Sequence, residues 1–450
     1  MSLLIENGDV VTMDGQNTIH APGWVTIEGD RVSQVGAGMV PAGLAARADR
    51  VMDATHMAVM PGMINGHTHL SQTFLRGLAD DRPLLAWLKQ IIWPAQGAIT
   101  PDDMRLASLL GLVENLRCGV TSVVQHHKIT TTPAHVDATA EAAERVGLRM
   151  LLARGWVDLG DSGEAPETIL AEMARLRERW HGAAQGRITI GFGPLAPWRC
   201  SDATMRRTVA LAHRWGVPTH LHVAEARDEI DMLCERTGMR HVEWLHALDA
   251  LDADVQLVHS VWLNDTELDL VAEGGAVVVH CPVSNMYLAS GVARVPAMLD
   301  RGIPVALGTD GPGSQNSQDM LELLKVAALL GKTATGDANA LLPMDVLRMA
   351  TVNGALLMRD DVGRITPGSK ADITIVDLNN ARCAPVHRPE SALVYNASGP
   401  DVYTVIVDGR VLLDAGRVAV LDEAALLDEC RHAAQRLLAR AQVTGRAIGD

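Results

Sequence analysis

The sequence predicts an α/β protein: a (β/α)8 TIM barrel with a small β-sandwich domain formed by both chain ends. Three observations predict it. Eight short apolar, β-branched runs alternate with amphipathic helical stretches through the middle of the chain. Both flanks change to short alternating strands punctuated by Asp-Gly and Glu-Gly turns. With 450 residues, 48% of them hydrophobic and 40 of them glycine, the chain is long enough to bury a barrel and a second domain.

In chain order, residues 1–55 carry hairpin patterns such as LLIENGDVVTMDG and GWVTIEGDRVSQVGAG. The eight barrel runs follow at 57–67, 119–126, 149–156, 187–194, 217–223, 255–260, 275–281 and 303–310. Between them, stretches such as 133–147, 203–216 and 317–331 repeat apolar residues at i, i+3 and i+4, the period of a helix with one buried face. The long gap at 70–101 contains Trp87 and Trp93, so it reads as an ordered active-site insertion, because disordered segments lack aromatics. Residues 364–420 return to hairpin grammar, and 422–442 are helical. Neither flank can build a core alone, so 1–56 and 364–420 are expected to combine into one β domain. Residues 57–363 then form the barrel and 421–450 a C-terminal helical segment.

Chemistry-bearing residues fall at the ends of these runs. His67 and His69 close the first as His-x-His, and side chains two apart on a strand face the same side, which suits a single cation. His222 closes the fifth with Glu225 three residues on, His259 closes the sixth and Asp310 the eighth. A histidine at a strand end is ordinarily a satisfied structural residue. Here each falls at the C-terminal end of a different barrel strand, where such barrels build their sites. Three neutral imidazoles and one carboxylate suit one divalent ion, zinc first and ferrous iron as the alternative, held by His67, His69, His222 and Asp310. Such an ion lowers the pKa of bound water from about 15.7 toward roughly 7, so metal-bound hydroxide is the expected nucleophile. Asp310 is placed to take the water's proton, Glu225 to carry a proton to the substrate and its leaving group, and His259 to polarise the substrate or hold the water.

Composition narrows the partners. A net charge of −15 without a Lys/Arg cluster excludes a nucleic-acid or anionic-membrane surface as the natural ligand, leaving a small molecule. The six cysteines are scattered without a C-x-x-C spacing, as expected of reduced thiols in a cytoplasm. The N-terminal segment lacks the basic and apolar regions of a secretory signal, and no run of eighteen apolar residues occurs.

The motifs PGMINGHTH, HVAE, LVHS, HCPVSN, LGTDG and GSKAD together resemble the amidohydrolase superfamily, specifically its cytosine/guanine deaminase and chlorohydrolase branch, which holds atrazine chlorohydrolase- and melamine deaminase-like enzymes. The resemblance spans nearly the whole chain. It implies a metal-dependent hydrolase that removes an exocyclic amine from a purine, pterin, pyrimidine or s-triazine ring, and a homodimer or larger homo-oligomer. Two-metal members of the superfamily bridge their ions with a carboxylated lysine; no Lys occurs here between Lys128 and Lys325, so one ion is implied.

Substrate contacts are harder to read. Gln72 and Arg76 follow the histidine pair and offer amide and guanidinium hydrogen bonds. Trp93, His126, Arg154 and Trp198 lie near strand ends or in the insertion, where they can meet a planar ring. The family's adenosine and S-adenosylhomocysteine deaminases place a histidine where this chain has Leu195 in GFGPLAP, which weighs against a nucleoside and toward the triazine side. Two alternatives stay open: a dechlorinating or dealkylaminating s-triazine hydrolase, and, remotely, a non-catalytic metal-binding scaffold.

Overall fold

Strands buried on both faces need helices around them, and here they form a parallel barrel. The computed structural model of the chain describes residues 2–78, 80–127 and 132–443; Lys128 and the last seven residues of the expected C-terminal segment lie outside the described residues. The barrel strands are Met63–Thr68, Val120–His127, Arg149–Trp156, Ile188–Pro194, Thr219–Val223, Val255–His259, Val277–His280 and Val305–Leu307, in that spatial order. Neighbours pair in parallel, and the Asp310 N–H donates to the His67 carbonyl at 2.9 Å, joining the eighth strand's end to the first. Every residue of the second and third strands is buried.

Local sequence sets the connections. Helix Pro101–Arg117 starts at Thr100, whose hydroxyl accepts from the Asp103 N–H while Asp103 accepts from the Thr100 N–H. Helix Pro133–Val146 ends at Gly147, whose φ of 92° turns the chain into the third strand without a Cβ penalty. The 70–101 insertion is ordered as short helical turns over Leu70–Leu75, Leu84–Trp87, Leu88–Ile92 and Trp93–Ala98.

The chain ends meet in one nine-stranded mixed sheet, where Met57–Pro61 lies between Ser2–Val11 and Ile373–Asp377. Leu3, Ile5, Val25, Ile27, Val59, Ile373 and Ile406 form its buried core. The run 57–67, expected to be one barrel strand, divides at Gly62. Its first half belongs to the chain-end sheet and its second to the barrel. At the crossing, the Gly62 N–H donates to the Asp372 carbonyl at 2.9 Å, and a Cβ there would fall 2.1 Å from Thr121 Cγ2, so only glycine fits between the two sheets.

Arg149 stitches the same junction. Its fully buried guanidinium meets Asp360 at 3.0 Å, Asp372 at 3.2 Å and Asp408 at 2.6 Å. Breaking a buried ion network from one side strands the other charges, so Arg149→Met is expected to lower unfolding free energy by about 3–5 kcal/mol in a denaturant titration. A loss below about 1 kcal/mol would show the network to behave as an exposed one.

Candidate active site

At the C-terminal mouth of the barrel, four imidazoles, those of His67, His69, His126 and His222, each offer a nitrogen within 4.8 Å of the others. All are buried. Burial pushes the pKa values of His67, His126 and His222 well below the ordinary imidazole value, which keeps them neutral, the form that binds metal. The backbone sets the tautomers of two. His69 Nδ1 donates to the His126 carbonyl at 2.8 Å and His222 Nδ1 to the Leu195 carbonyl at 2.7 Å, because a carbonyl can only accept. Their Nε2 atoms therefore carry lone pairs, and these face each other across 3.3 Å.

Asp310 completes the cluster. Its Oδ1 lies 3.3 Å from His67 Nε2 and 3.4 Å from His69 Nε2. Metal–nitrogen bonds of about 2.0–2.1 Å in a tetrahedral site put ligand atoms about 3.3 Å apart, so these separations fit a zinc-sized cation. Two facing lone pairs are repulsive unless a positive charge stands between them. Asp310 Oδ1 therefore faces imidazole nitrogens with one more acceptor, a set that a cation reconciles. Its other oxygen accepts from the Ser284 and Ser314 hydroxyls, both at 2.7 Å. Asp310 and His259 leave their strands at φ of 65° and 67°, a left-handed conformation that L-residues adopt at a cost, and one concentrated at functional sites.

Above the cluster opens a cleft of about 440 Å3, including the part open to solvent. His69, His222, Glu225, His259 and Asp310 form its floor, and Leu84, Trp87, Leu88, Leu195 and Trp198 belong to its walls. Glu225 Oε2 lies 3.4 Å from His259 Nε2, and Asn285 Nδ2 donates to His259 Nδ1 at 3.0 Å. The 70–101 insertion thus covers the mouth, and Trp87 is fastened by a 2.8 Å hydrogen bond from its indole to the Gly313 carbonyl.

The residues expected to touch substrate are dispersed. Trp198 lines both this cleft and an adjoining groove that also contains Trp93, Gln96, Leu159 and Arg199. His126 sits beneath the cleft within the imidazole cluster, its Nε2 on the Gly193 carbonyl at 3.0 Å. Gln72 is fully buried against Gly311 and Gly313 rather than on the cleft wall. Arg76 pairs with Glu114, and Arg154 makes a bidentate pair with Glu164 at 2.8 and 2.5 Å, so neither guanidinium is on the wall. Ser284, Ser314, His220 and Gln256 escaped the sequence reading. For His220 a signal existed: it lies two residues before His222 and therefore on the same face of its strand.

A barrel whose strand ends bring three neutral imidazoles, a carboxylate and a second acidic group to one point is that of a metal-dependent hydrolase. Residues 58–412 match the Amidohydrolase family, and the chain belongs to it. It hydrolyses C–N bonds of cyclic amidines. It is 40% identical to a 5′-deoxyadenosine deaminase of Methanosarcina acetivorans over 98% of this chain and 99% of that protein. The structure of an adenosine deaminase from Xanthomonas campestris with bound zinc superposes with a TM-score of 0.90 at 32% identity, covering 97% of this chain and 98% of that one. Atrazine chlorohydrolase from Arthrobacter aurescens TC1, complexed with zinc, has a TM-score of 0.90 at 26% identity over 96% of this chain and 100% of that one. The inclination toward triazines drawn from Leu195 is therefore not supported: identity to the nucleoside deaminases is the higher. Among the described residues no helix is long and apolar enough to cross a membrane, and no cysteine is in a disulfide.

Proposed function

We propose that the protein deaminates the purine base of a nucleoside, with a 5′-substituted adenosine as the substrate class. The observation that carries this reading is the opening of Glu225 and Asp310 into one cleft beside the imidazoles, with Trp198 shared between that cleft and the adjoining groove. The cleft accepts a flat base over the cluster. The groove accepts the sugar and its 5′ substituent, an extension that a compact triazine lacks.

His67, His69, His222 and Asp310 would hold one zinc ion, which when bound supplies the acidity that makes water a nucleophile at neutral pH. Asp310 takes the attacking water's proton through Oδ1, oriented by the Ser284 and Ser314 hydroxyls on its other oxygen. Glu225 gives its proton to the ring nitrogen, takes up the hydroxyl proton of the tetrahedral carbon as the carbonyl forms, and passes that proton to the departing amine. His259, held by Asn285, directs its Nε2 toward Glu225 and the developing oxygen. Leu195, Trp87 and Trp198 exclude bulk water from the base.

A panel of 5′-methylthioadenosine, 5′-deoxyadenosine, adenosine, guanine and atrazine, followed by ammonia and chloride release, tests the substrate class. Ammonia from the adenosines at the highest kcat/KM is expected; chloride from atrazine without ammonia from any purine would overturn the reading. Metal analysis of active protein is expected to give about one zinc per chain, and chelation to abolish turnover until zinc is returned. Two tightly held ions, both needed for activity, would contradict the single-ion site.

A further inference from the structure

Two of the three imidazoles assigned to the metal lean on backbone carbonyls, which fixes their protons. His67 does not. Its Nδ1 meets another imidazole, His220 Nε2, at 2.8 Å, and an imidazole nitrogen can be donor or acceptor. The direction of that hydrogen bond must be set further away.

It is set by Gln256. His220 Nδ1 lies 2.8 Å from Gln256 Oε1, and Gln256 Nε2 donates to the Leu357 carbonyl at 2.9 Å. A flipped amide would oppose two carbonyl oxygens at Leu357, so the orientation follows from chemistry. Gln256 Oε1 only accepts, hence His220 carries its proton on Nδ1. Its Nε2 then has the lone pair and accepts from His67 Nδ1–H. His67 Nε2 is left bare, 3.3 Å from Asp310 Oδ1, with no hydrogen-bond donor of its own to satisfy.

We infer that His220 and Gln256 are positioning residues that impose on His67 the tautomer required of a metal ligand. The relay is built for this. His220 and Gln256 are register partners on the fifth and sixth barrel strands, and His67, His220 and Gln256 are all buried. The anchoring carbonyl belongs to the last turn of helix Val352–Met358, where carbonyls have no intrahelical partner. Were His220 to adopt the other tautomer, its Nε2–H would turn His67 Nδ1 into an acceptor and move the His67 proton onto Nε2, against the cation.

The inference rests on His67 being a ligand, so zinc affinity is measured by chelator competition on four proteins: wild type, His67→Ala, Gln256→Leu and Gln256→Glu. His67→Ala tests the ligand assignment itself, and unchanged affinity there would overturn that assignment. Removing an outer partner of a metal ligand weakens binding by about 10- to 100-fold, the loss expected for Gln256→Leu. Gln256→Glu is expected to restore most of it, since a buried carboxylic acid keeps an oxygen that accepts from His220 Nδ1–H and an O–H that can donate to the Leu357 carbonyl. If His67→Ala loses zinc while folded Gln256→Leu binds as wild type does, the relay is refuted. A purely structural Gln256 would lower the melting temperature of metal-free protein and leave zinc affinity alone. Should Gln256→Leu not fold, 15N-histidine NMR of the zinc-loaded wild type decides: protons on Nδ1 of both His220 and His67 are expected, and a proton on His220 Nε2 would overturn the inference.

Discussion

Asp310→Asn is expected to leave the barrel folded and to cut turnover by at least about 10²–10⁴-fold, the range for losing a general base. The carboxylate works on two fronts. Oδ1 faces the His67 and His69 Nε2 atoms at 3.3 and 3.4 Å, while Oδ2 accepts two hydroxyls at 2.7 Å. An amide cannot accept on both sides. Its NH2 must face either the serine hydroxyls, which can rotate, or the metal position, where it repels the cation, and in neither case can it take a proton from water. Circular dichroism, zinc content and steady-state rates on one preparation check this. Near-normal rates in a folded, zinc-loaded variant would assign the proton to another group.

Glu225→Gln is expected to remove about 10²–10⁴ from the rate of amine loss, because the amide keeps the size of the acid and loses its transferable proton. Glu225 is 3.4 Å from His259 Nε2 and only 5% exposed, so bulk water does not readily replace it. A matched substrate pair sharpens the result. A 6-chloropurine analogue of the best nucleoside releases chloride, which needs no proton, so its rate should fall less. Equal losses on the pair would confine Glu225 to protonating the ring, and no loss on either would remove it from the mechanism.

Strand periodicity explains why the barrel was legible: runs such as 149–156 coincide with their strands because a doubly buried strand tolerates little but apolar residues. The same logic hid the break at Gly62, since both sheets ask for apolar residues and nothing in MAVMPGMINGH marks the change of sheet. His67, His69, His222, Glu225, His259 and Asp310 could be read because each ends or follows a strand. The relay behind His67 could not. It joins residues from three strands and a helix, and depends on which amide atom faces which ring. Arg76 was attractive because it follows the histidine pair and Arg154 because it lies near a strand end, but their partners Glu114 and Glu164 are supplied by packing that local pattern does not encode. Leu195 shows the reverse hazard, a single residue given more weight than its surroundings warrant.

Met57–Pro61 sits between a strand from the beginning of the chain and Ile373–Asp377 from near its end. On a ribosome this means that the amino-terminal strands wait with an open edge while the whole barrel is made, on the order of tens of seconds at ordinary elongation rates. The edge is an invitation to pair with another nascent chain. Closure comes when the strand at 373–377 arrives and Asp372 and Asp408 reach Arg149. A segment made after the barrel is therefore what seals one made before it, and a chain cut short between the two would carry a nearly complete catalytic barrel on an unfinished, adhesive sheet.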